Sequence, residues 1–172
     1  MAEGKKENKG KEYHTNGSIW YTGEFKDNKR HCSNCYIFFC DSKISYMGGM
    51  EYGKKHDQGK LYDINGVLRY KGKFKNDKPN SDNGEIYNSE GQLEYEGDLV
   101  NGKRQGKGKE YHKNGEVFYE NEFYNNKPHG LDIKVYNIDG NLEYQGEMIE
   151  GIRQGFGKEY FPNGKIWYEG NF

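Results

Sequence analysis

Aromatic residues recur at a nearly constant interval along this chain of 172 residues, and each opens a repeating unit. A second sign of repetition is that residues 101–119 and 150–168 share 11 of 19 positions. A period of this length is typical of repeat proteins, in which each small unit packs against the next. The sequence therefore predicts a single repeat array over residues 1–172 with partial units at its ends. The opening residues, spaced by 25 and 24 in alternation, are Tyr13, Phe38, Tyr62, Tyr87, Tyr111, Tyr136 and Tyr160.

Each unit carries the pattern of a β-hairpin. An Asn, Asp or Glu stands three residues after the opening aromatic and is followed by glycine in six of seven units, with Ser42 as the exception. Such dipeptides supply the positive φ angles of tight hairpin turns. The strand after the turn alternates with period 2. Counted from the opening aromatic, an aliphatic residue stands six positions later, a tyrosine eight, a glycine ten and a large apolar residue twelve; Asn121 is the one exception to the glycine. One face of every returning strand is thus predicted to be apolar.

These patterns predict an all-β fold. We expect an elongated, twisted, single-layer solenoid of stacked antiparallel β-hairpins with no helical domain. Only 32% of residues are apolar, which argues against a deep core, while aromatic residues at 16% argue against disorder. The net charge of −1 gives no field that attracts nucleic acid, so no nucleic-acid partner is expected. No apolar run is long enough to span a bilayer, and the sequence predicts a cytoplasmic protein, with peripheral membrane attachment as an option.

The recurring unit resembles the MORN repeat. Two stretches carry the resemblance, YEGDLVNGKRQGKGKEYHKNG from Tyr95 and YQGEMIEGIRQGFGKEYFPNG from Tyr144, and the same columns continue from Gly4 to Phe172. The units are slightly longer than the commonest MORN spacing and are similar to variant repeats of bacterial proteins. The resemblance implies a scaffold that makes protein contacts, dimerises or associates with phospholipids.

The segment HCSNCYIFFC, residues 31–40, is the one metal-like constellation in the sequence. A CxxC pair could present two thiolates to zinc. However, Cys32 and Cys35 stand in columns that hold glycine in other units, so we interpret them as small structural residues. Three cysteines do not suggest a disulfide framework, and a reducing compartment accounts for them. The sequence predicts no metal site and no cofactor, and leaves zinc at the three cysteines as the minor alternative.

Two columns are candidates for binding. Lysines in the second turn could meet an anionic surface or could simply keep the protein soluble; they are Lys29, Lys54, Lys78, Lys103 and Lys127. Seven residues after the opening aromatic, Trp20, Phe118 and Trp167 are predicted to point away from the tyrosine face, where they could contact a protein partner. The opposing interpretation is that opening-strand residues such as Phe39 and Phe161 cover them.

The histidines and carboxylates recur by column, so no unique acid–base pair is apparent. The sequence therefore predicts no enzyme but a non-catalytic scaffold for a protein partner of unknown identity, with self-association as an option. One alternative is an antitoxin-like regulator that covers a partner toxin. A second is a peripheral binder of anionic membranes through the lysine column.

Overall fold

A computed structural model describes residues 5–172. Within that range the chain forms 17 β-strands and no helix, and all described strand pairs are antiparallel, which confirms the all-β prediction. The strands are β1 (Asn8–Tyr13), β2 (Ile19–Lys26), β3 (Lys29–Arg30), β4 (Cys32–Phe38), β5 (Ile44–Glu51), β6 (Lys54–Tyr62), β7 (Leu68–Lys75), β8 (Lys78–Pro79), β9 (Ser81–Tyr87), β10 (Leu93–Val100), β11 (Lys103–Tyr111), β12 (Val117–Tyr124), β13 (Lys127–Pro128), β14 (Gly130–Tyr136), β15 (Leu142–Ile149), β16 (Ile152–Tyr160) and β17 (Ile166–Asn171).

The strands divide into two compact units. The first comprises residues up to Asn80 together with Ser89–Gly91, and the second comprises Ser81–Asn88 and Gln92–Phe172. In the first unit β1 pairs with β2, β2 with β3 and β4, and each later strand up to β8 with the strand before it in a meander. In the second unit β9 to β17 continue in the same way.

The repeat columns set the strand boundaries. Each opening aromatic is the last residue of a strand, as Tyr111 is of β11, and each aliphatic six residues later is the first of the next, as Val117 is of β12. In the turn between β11 and β12, the amide of Gly115 donates to the carbonyl of His112, and Gly115 itself has a positive φ. Ser42 adopts φ 70° where the other units have glycine.

The second turn of each unit is the two-residue type. Both central residues have positive φ, for example Asn101 at 54° and Gly102 at 81°, or Asn125 at 48° and Asn126 at 73°. This is the type I′ geometry, whose twist matches that of the flanking strands. Asn and Asp fill most of these positions because they tolerate the left-handed region better than other side chains.

Tyrosine rings form the core of both units. Tyr21, Tyr46, Tyr95 and Tyr144 are fully buried. Each hydroxyl donates to a backbone carbonyl three residues ahead, as Tyr95 does to Asp98 at 2.9 Å, so the polar tip of the buried ring is satisfied. Phenylalanines pack edge-on against these rings: Phe123 lies 5.2 Å from Tyr95 between ring centroids. The predicted apolar face is therefore confirmed for these core tyrosines and the large apolar residues four positions later, whereas the aliphatic residue that begins each returning strand is partly buried or exposed.

Glycine makes room for the tyrosine rings. Gly97 and Gly108 lie opposite each other on β10 and β11, directly beneath the ring of Tyr95. A Cβ added to Gly108 would stand 2.6 Å from Tyr95 Cε2, which is too close for any real contact. Asn121 replaces glycine in this column, and there Tyr119 is only partly buried. The glycine column therefore determines how deeply each tyrosine inserts.

A β-bulge interrupts each returning strand after its first residue. In β2, Ile19 pairs with Tyr13 and Tyr21 pairs with Glu12, which leaves Trp20 as the extra residue. The same register shift recurs in later hairpins, leaving Phe118 and Trp167 unpaired. Because a bulge places an additional residue in one strand, side chains on either side of it no longer alternate strictly. We call the residues at this position the bulge column: Trp20, Ser45, Arg69, Glu94, Phe118, Glu143 and Trp167.

The glycine column is testable by a single substitution. We expect Gly108→Ala to lower the free energy of unfolding by about 1–3 kcal/mol, because the methyl group collides with the buried Tyr95 ring and its strand neighbours. Lys107→Ala, on the same strand but exposed, is the matched control and should change stability by less than about 0.5 kcal/mol. Urea denaturation followed by circular dichroism measures both; equal effects would contradict this role of the glycine.

The buried tyrosines predict a loss of stability in alkali. Burial raises the pKa of Tyr21 to about 12 and also raises the pKa values of Tyr46 and Tyr95. Tyrosines in the unfolded chain ionise near pH 10. Below that pH both states keep the proton and the stabilisation is complete; above it the unfolded state loses protons first. The free energy of unfolding should therefore fall from about pH 10 upward, with tyrosinate absorbance rising in step with unfolding. Ionisation that precedes any structural change would contradict this.

Candidate interaction surface

Trp20 lies exposed in a polar cluster of the first unit. The Arg30 guanidinium stacks 3.8 Å from the centre of the Trp20 ring and 4.9 Å from that of Tyr21. The same guanidinium forms an ion pair of 2.6 Å with Glu12, and the His14 ring lies 6.1 Å from the indole. Trp20 is nevertheless 40% exposed. The cluster therefore presents an aromatic face in a fixed orientation, which reduces the entropy lost on binding.

The charge of Glu12 supports this arrangement. Desolvation by burial acts to raise its pKa, but hydrogen bonds from Lys6 and Arg30 together with their positive charges hold the pKa of Glu12 below its usual value. The Lys6 ammonium donates to one carboxylate oxygen at 2.8 Å and Arg30 Nε to the other at 2.7 Å. These contacts therefore favour the charged form of Glu12, which holds Arg30 over the indole.

Trp167 is more exposed than Trp20. It is 63% accessible, and its indole N–H donates to Glu159 at 2.8 Å. The Phe161 ring lies 5.8 Å away in an edge-to-face contact. The interpretation that Phe161 covers Trp167 does not hold, because Phe161 contacts the ring while most of the indole stays open to solvent. Trp20, in contrast, is flanked by His14 and Arg30.

Phe118 does not belong to an exposed surface. Its ring centre lies 4.0 Å from that of Tyr119 and 4.5 Å from that of His112, and it packs against the buried cluster of Ile133, Val135, Tyr144 and Met148. The prediction that this column points away from the tyrosine face is wrong for Phe118. Period-2 counting assigned the face, and the bulge changes that alternation.

The cluster of arginine, tyrosine and glutamate recurs in the second unit. Arg104 stacks 4.9 Å from the Tyr95 ring centre and pairs with Glu110 at 2.8 Å. In place of the tryptophan, the bulge residue Glu94 forms a short hydrogen-bonded ion pair with the same guanidinium. Arg153 repeats the contact, 4.7 Å from Tyr144. Sequence analysis missed this arginine column, although its position directly after the lysine column was visible.

The five lysines of the predicted anionic-surface column share one structural position. Each is exposed and is the first residue of the strand that follows a type I′ turn. In the second unit Lys103 donates to Asn125 at 3.0 Å and Lys127 pairs with Glu150 at 3.7 Å. In the first unit Lys29 lies 5.9 Å from the ring centre of Tyr52. The row is therefore partly neutralised in the second unit.

The two units differ strongly in charge. The first contains 16 lysines and arginines against 11 aspartates and glutamates, whereas the second contains 10 against 16. The near-zero net charge of the chain conceals this difference. Electrostatic attraction acts over about one Debye length. The net charge of each unit, rather than that of the whole chain, therefore decides which charged partners that unit attracts.

A shallow groove of about 610 Å³ lies in the second unit, on the opposite face from the tyrosine rings. Gly97 and Gly108 form part of its lining, and charged residues of both signs alternate across the strands beside them. Glu120 lies between Lys109 at 3.5 Å and Lys134 at 3.9 Å. The lining as a whole has five carboxylates and three lysines, so its charges cancel only in part and leave the groove acidic.

The three cysteines differ from expectation. Cys32 and Cys35 are buried and joined by a disulfide bond, with Cα atoms 6.1 Å apart, while Cys40 is free and exposed. The sequence hypothesis of reduced thiols is therefore wrong for this pair. The register shift between these residues in β4 brings their two inward positions together. Among the described residues no group of three His, Cys, Asp or Glu side chains could hold a metal ion.

The histidines serve the turns. His14 Nε2 lies 3.0 Å from the carbonyl of Phe38, and His112 Nε2 lies 2.9 Å from that of Tyr136, one repeat further along in each case. This matches the recurrent placement seen in the sequence. Within residues 5–172 there is also no helix of the length and apolarity that crossing a bilayer requires.

Comparison with protein families matches these hairpins to a known repeat. The model described as "MORN repeat" matches residues 21–31, 95–117, 119–131 and 144–166, and each stretch begins at a tyrosine of the core column. The four matched stretches are MORN repeats. In three of these stretches the first residue, Tyr21, Tyr95 or Tyr144, is the buried ring over a glycine pair, whereas Tyr119 is only partly buried. The turn that follows carries a lysine of the column after Tyr21, Tyr95 and Tyr119, and Ile152 takes that place after Tyr144. Comparison with curated proteins gave no significant match. MORN repeats are generally associated with protein and membrane interaction.

Proposed function

We propose that the protein is a non-catalytic MORN-repeat scaffold that binds a protein partner through Trp20 and Trp167. The main support for this proposal is that both indoles stay exposed while neighbouring side chains fix their orientation. Arg30 stacks on Trp20, and Glu159 accepts the indole hydrogen bond of Trp167. Tryptophan and arginine are the residues that most often dominate binding energy at protein interfaces.

The two sites also differ in the chemistry around them, which favours a partner with its own polar groups. At Trp20 the rim is Arg30 and His14, and at Trp167 it is Glu159 and Phe161. Each unit therefore offers a partner one aromatic anchor of its own. A toxin covered by this surface is one form that such a partner could take.

Paired substitutions test the aromatic anchors. The wild-type chain is first used to capture partner proteins from native lysate, and a captured partner is identified and purified. Its affinity is then measured for the wild type and for the double variant Trp20→Ser/Trp167→Ser. We expect the apparent Kd to rise by about tenfold or more, as for loss of interface hot spots, with an unchanged far-ultraviolet circular dichroism spectrum. Ile64→Ser/Leu131→Ser removes two similarly exposed apolar side chains and should leave the Kd within about twofold. Equal effects of the two pairs would refute the proposal.

A second proposed function is binding to an anionic membrane through the first unit. Its excess of basic residues and the exposed Lys29, Lys54 and Lys78 support this. Each lysine near an anionic surface contributes about 1 kcal/mol, and salt screens the attraction. The lysines of the second unit, Lys103 and Lys127, contribute less because a carboxylate or amide oxygen engages each.

Vesicle sedimentation tests the membrane proposal. Phosphatidylcholine vesicles with phosphatidylserine should bind the protein at low salt and release it at high salt. Lys29→Gln/Lys54→Gln/Lys78→Gln should weaken binding by about tenfold or more, whereas Lys103→Gln/Lys127→Gln/Lys165→Gln, an equal charge change in the second unit, should have a smaller effect. Binding no greater than to pure phosphatidylcholine would dispose of the membrane function.

A further inference from the structure

A small pocket of about 240 Å³ lies beside Trp167 in the second unit. Its lining combines the side chains of Leu142, Tyr160 and Trp167 with the charged side chains of Glu143, Arg153 and Glu159. Sites for small-molecule ligands usually have volumes of about 300–1,000 Å³. The pocket beside Trp167 is smaller than that, and its size suits a single side chain of a partner.

The same four positions occur 49 residues earlier in the repeat, where no such pocket has formed. Arg104 pairs there with two carboxylates, with Glu110 at 2.8 Å and with the bulge residue Glu94 through a short contact. Phe118 packs against the buried cluster of that region. The protein's own arginine therefore engages the bulge carboxylate. The matching positions are Glu94 and Glu143, Arg104 and Arg153, Glu110 and Glu159, and Phe118 and Trp167.

The contacts are exchanged in the hairpin that carries the pocket. Arg153 pairs with Glu159 through one carboxylate oxygen. The other oxygen of Glu159 accepts the indole N–H of Trp167 at 2.8 Å. Glu143, the bulge residue here, is exposed and makes no hydrogen bond or ion pair with any residue between 5 and 172. Its carboxylate is therefore available to a group from another molecule.

The charges of the pocket favour a cation. Arg153 is balanced by Glu159, and its guanidinium is held 4.7 Å from the ring centre of Tyr144. The charge of Glu143 is left uncompensated, next to the Trp167 indole, which is 63% exposed. The face of an indole attracts cations, and a carboxylate forms strong hydrogen bonds with a charged donor. A positively charged side chain satisfies both groups at once.

The first unit contains the complete form of this arrangement. The Arg30 guanidinium lies 3.8 Å from the centre of the Trp20 ring and pairs with Glu12 at 2.6 Å. Indole, carboxylate and guanidinium thus form one cluster within a single chain. The pocket beside Trp167 has the indole and the carboxylate of such a cluster.

We propose that the protein partner inserts an arginine side chain into this pocket, where it pairs with Glu143 and stacks on the Trp167 indole. Arginine fits better than lysine because its planar guanidinium stacks on aromatic rings and can form two hydrogen bonds to one carboxylate. The second unit has 10 lysines and arginines against 16 aspartates and glutamates, which favours the approach of a basic partner. This inference rests on the proposed role of Trp167 as an anchor and names what the partner presents there.

An arginine derivative tests the pocket in the absence of the partner. N-acetylarginine amide is titrated into nitrogen-15-labelled protein, and the indole N–H signal of Trp167, assigned with Trp20→Ser, is followed by NMR. The signal should shift in a saturable way. N-acetylcitrulline amide has nearly the same shape without the charge and should bind at least about fivefold more weakly. A Trp167 signal that does not respond, or equal binding of the two compounds, would overturn the proposal.

A matched pair of variants locates the carboxylate. Glu143→Gln should weaken binding of N-acetylarginine amide by about fivefold or more, because it removes the charge that pairs with the guanidinium. Glu94→Gln changes the same position of the repeat, where Arg104 already engages the carboxylate, and should leave the affinity within about twofold. Circular dichroism verifies that both variants are folded. Equal effects of the two substitutions would contradict a specific role of Glu143.

The purified partner separates this inference from the proposed function. Both Glu143→Gln and Trp167→Ser should raise the Kd of the partner, each by about fivefold or more. A partner that is weakened by Trp167→Ser and unaffected by Glu143→Gln would overturn the arginine contact and leave the aromatic anchor in place. A partner that binds both variants as tightly as the wild type would overturn the anchor at Trp167 and the arginine contact together.

Discussion

The structure depends on one contact, the insertion of a tyrosine ring over a pair of opposed glycines. The ring buries a large apolar area, its hydroxyl satisfies a backbone carbonyl, and the glycines permit an approach that no Cβ would allow. In a chain with so few apolar residues, this contact replaces the aliphatic core of an ordinary domain. Phenylalanines then link neighbouring hairpins edge-on, as Phe74 does between Tyr46 and Tyr70. Stability is therefore local and repeated.

The bulge gives these hairpins a surface that a regular strand would not have. It places one additional residue beside the core tyrosine, where the following arginine stacks over both. The identity of that residue then decides the character of the hairpin: tryptophan at Trp20 leaves an aromatic face, and Glu94 closes the site with an ion pair. The same backbone thus offers different surfaces at successive positions, which suits a scaffold with several contacts.

Contacts inside the array come from the strands on both sides, as Glu120 lies between Lys109 on one neighbouring strand and Lys134 on the other. The two units nevertheless differ in net charge, the first being basic and the second acidic.

The sequence by itself determined the strand boundaries, the all-β class and the buried column. Opening aromatics such as Tyr111 end strands and aliphatics such as Val117 begin them, because local turn chemistry and a period of two act over a few residues. Tertiary structure alone decided the face of the bulge column, which Phe118 shows, and the bond between Cys32 and Cys35. Both depend on strand register, where one additional residue changes the side to which the neighbouring side chains point.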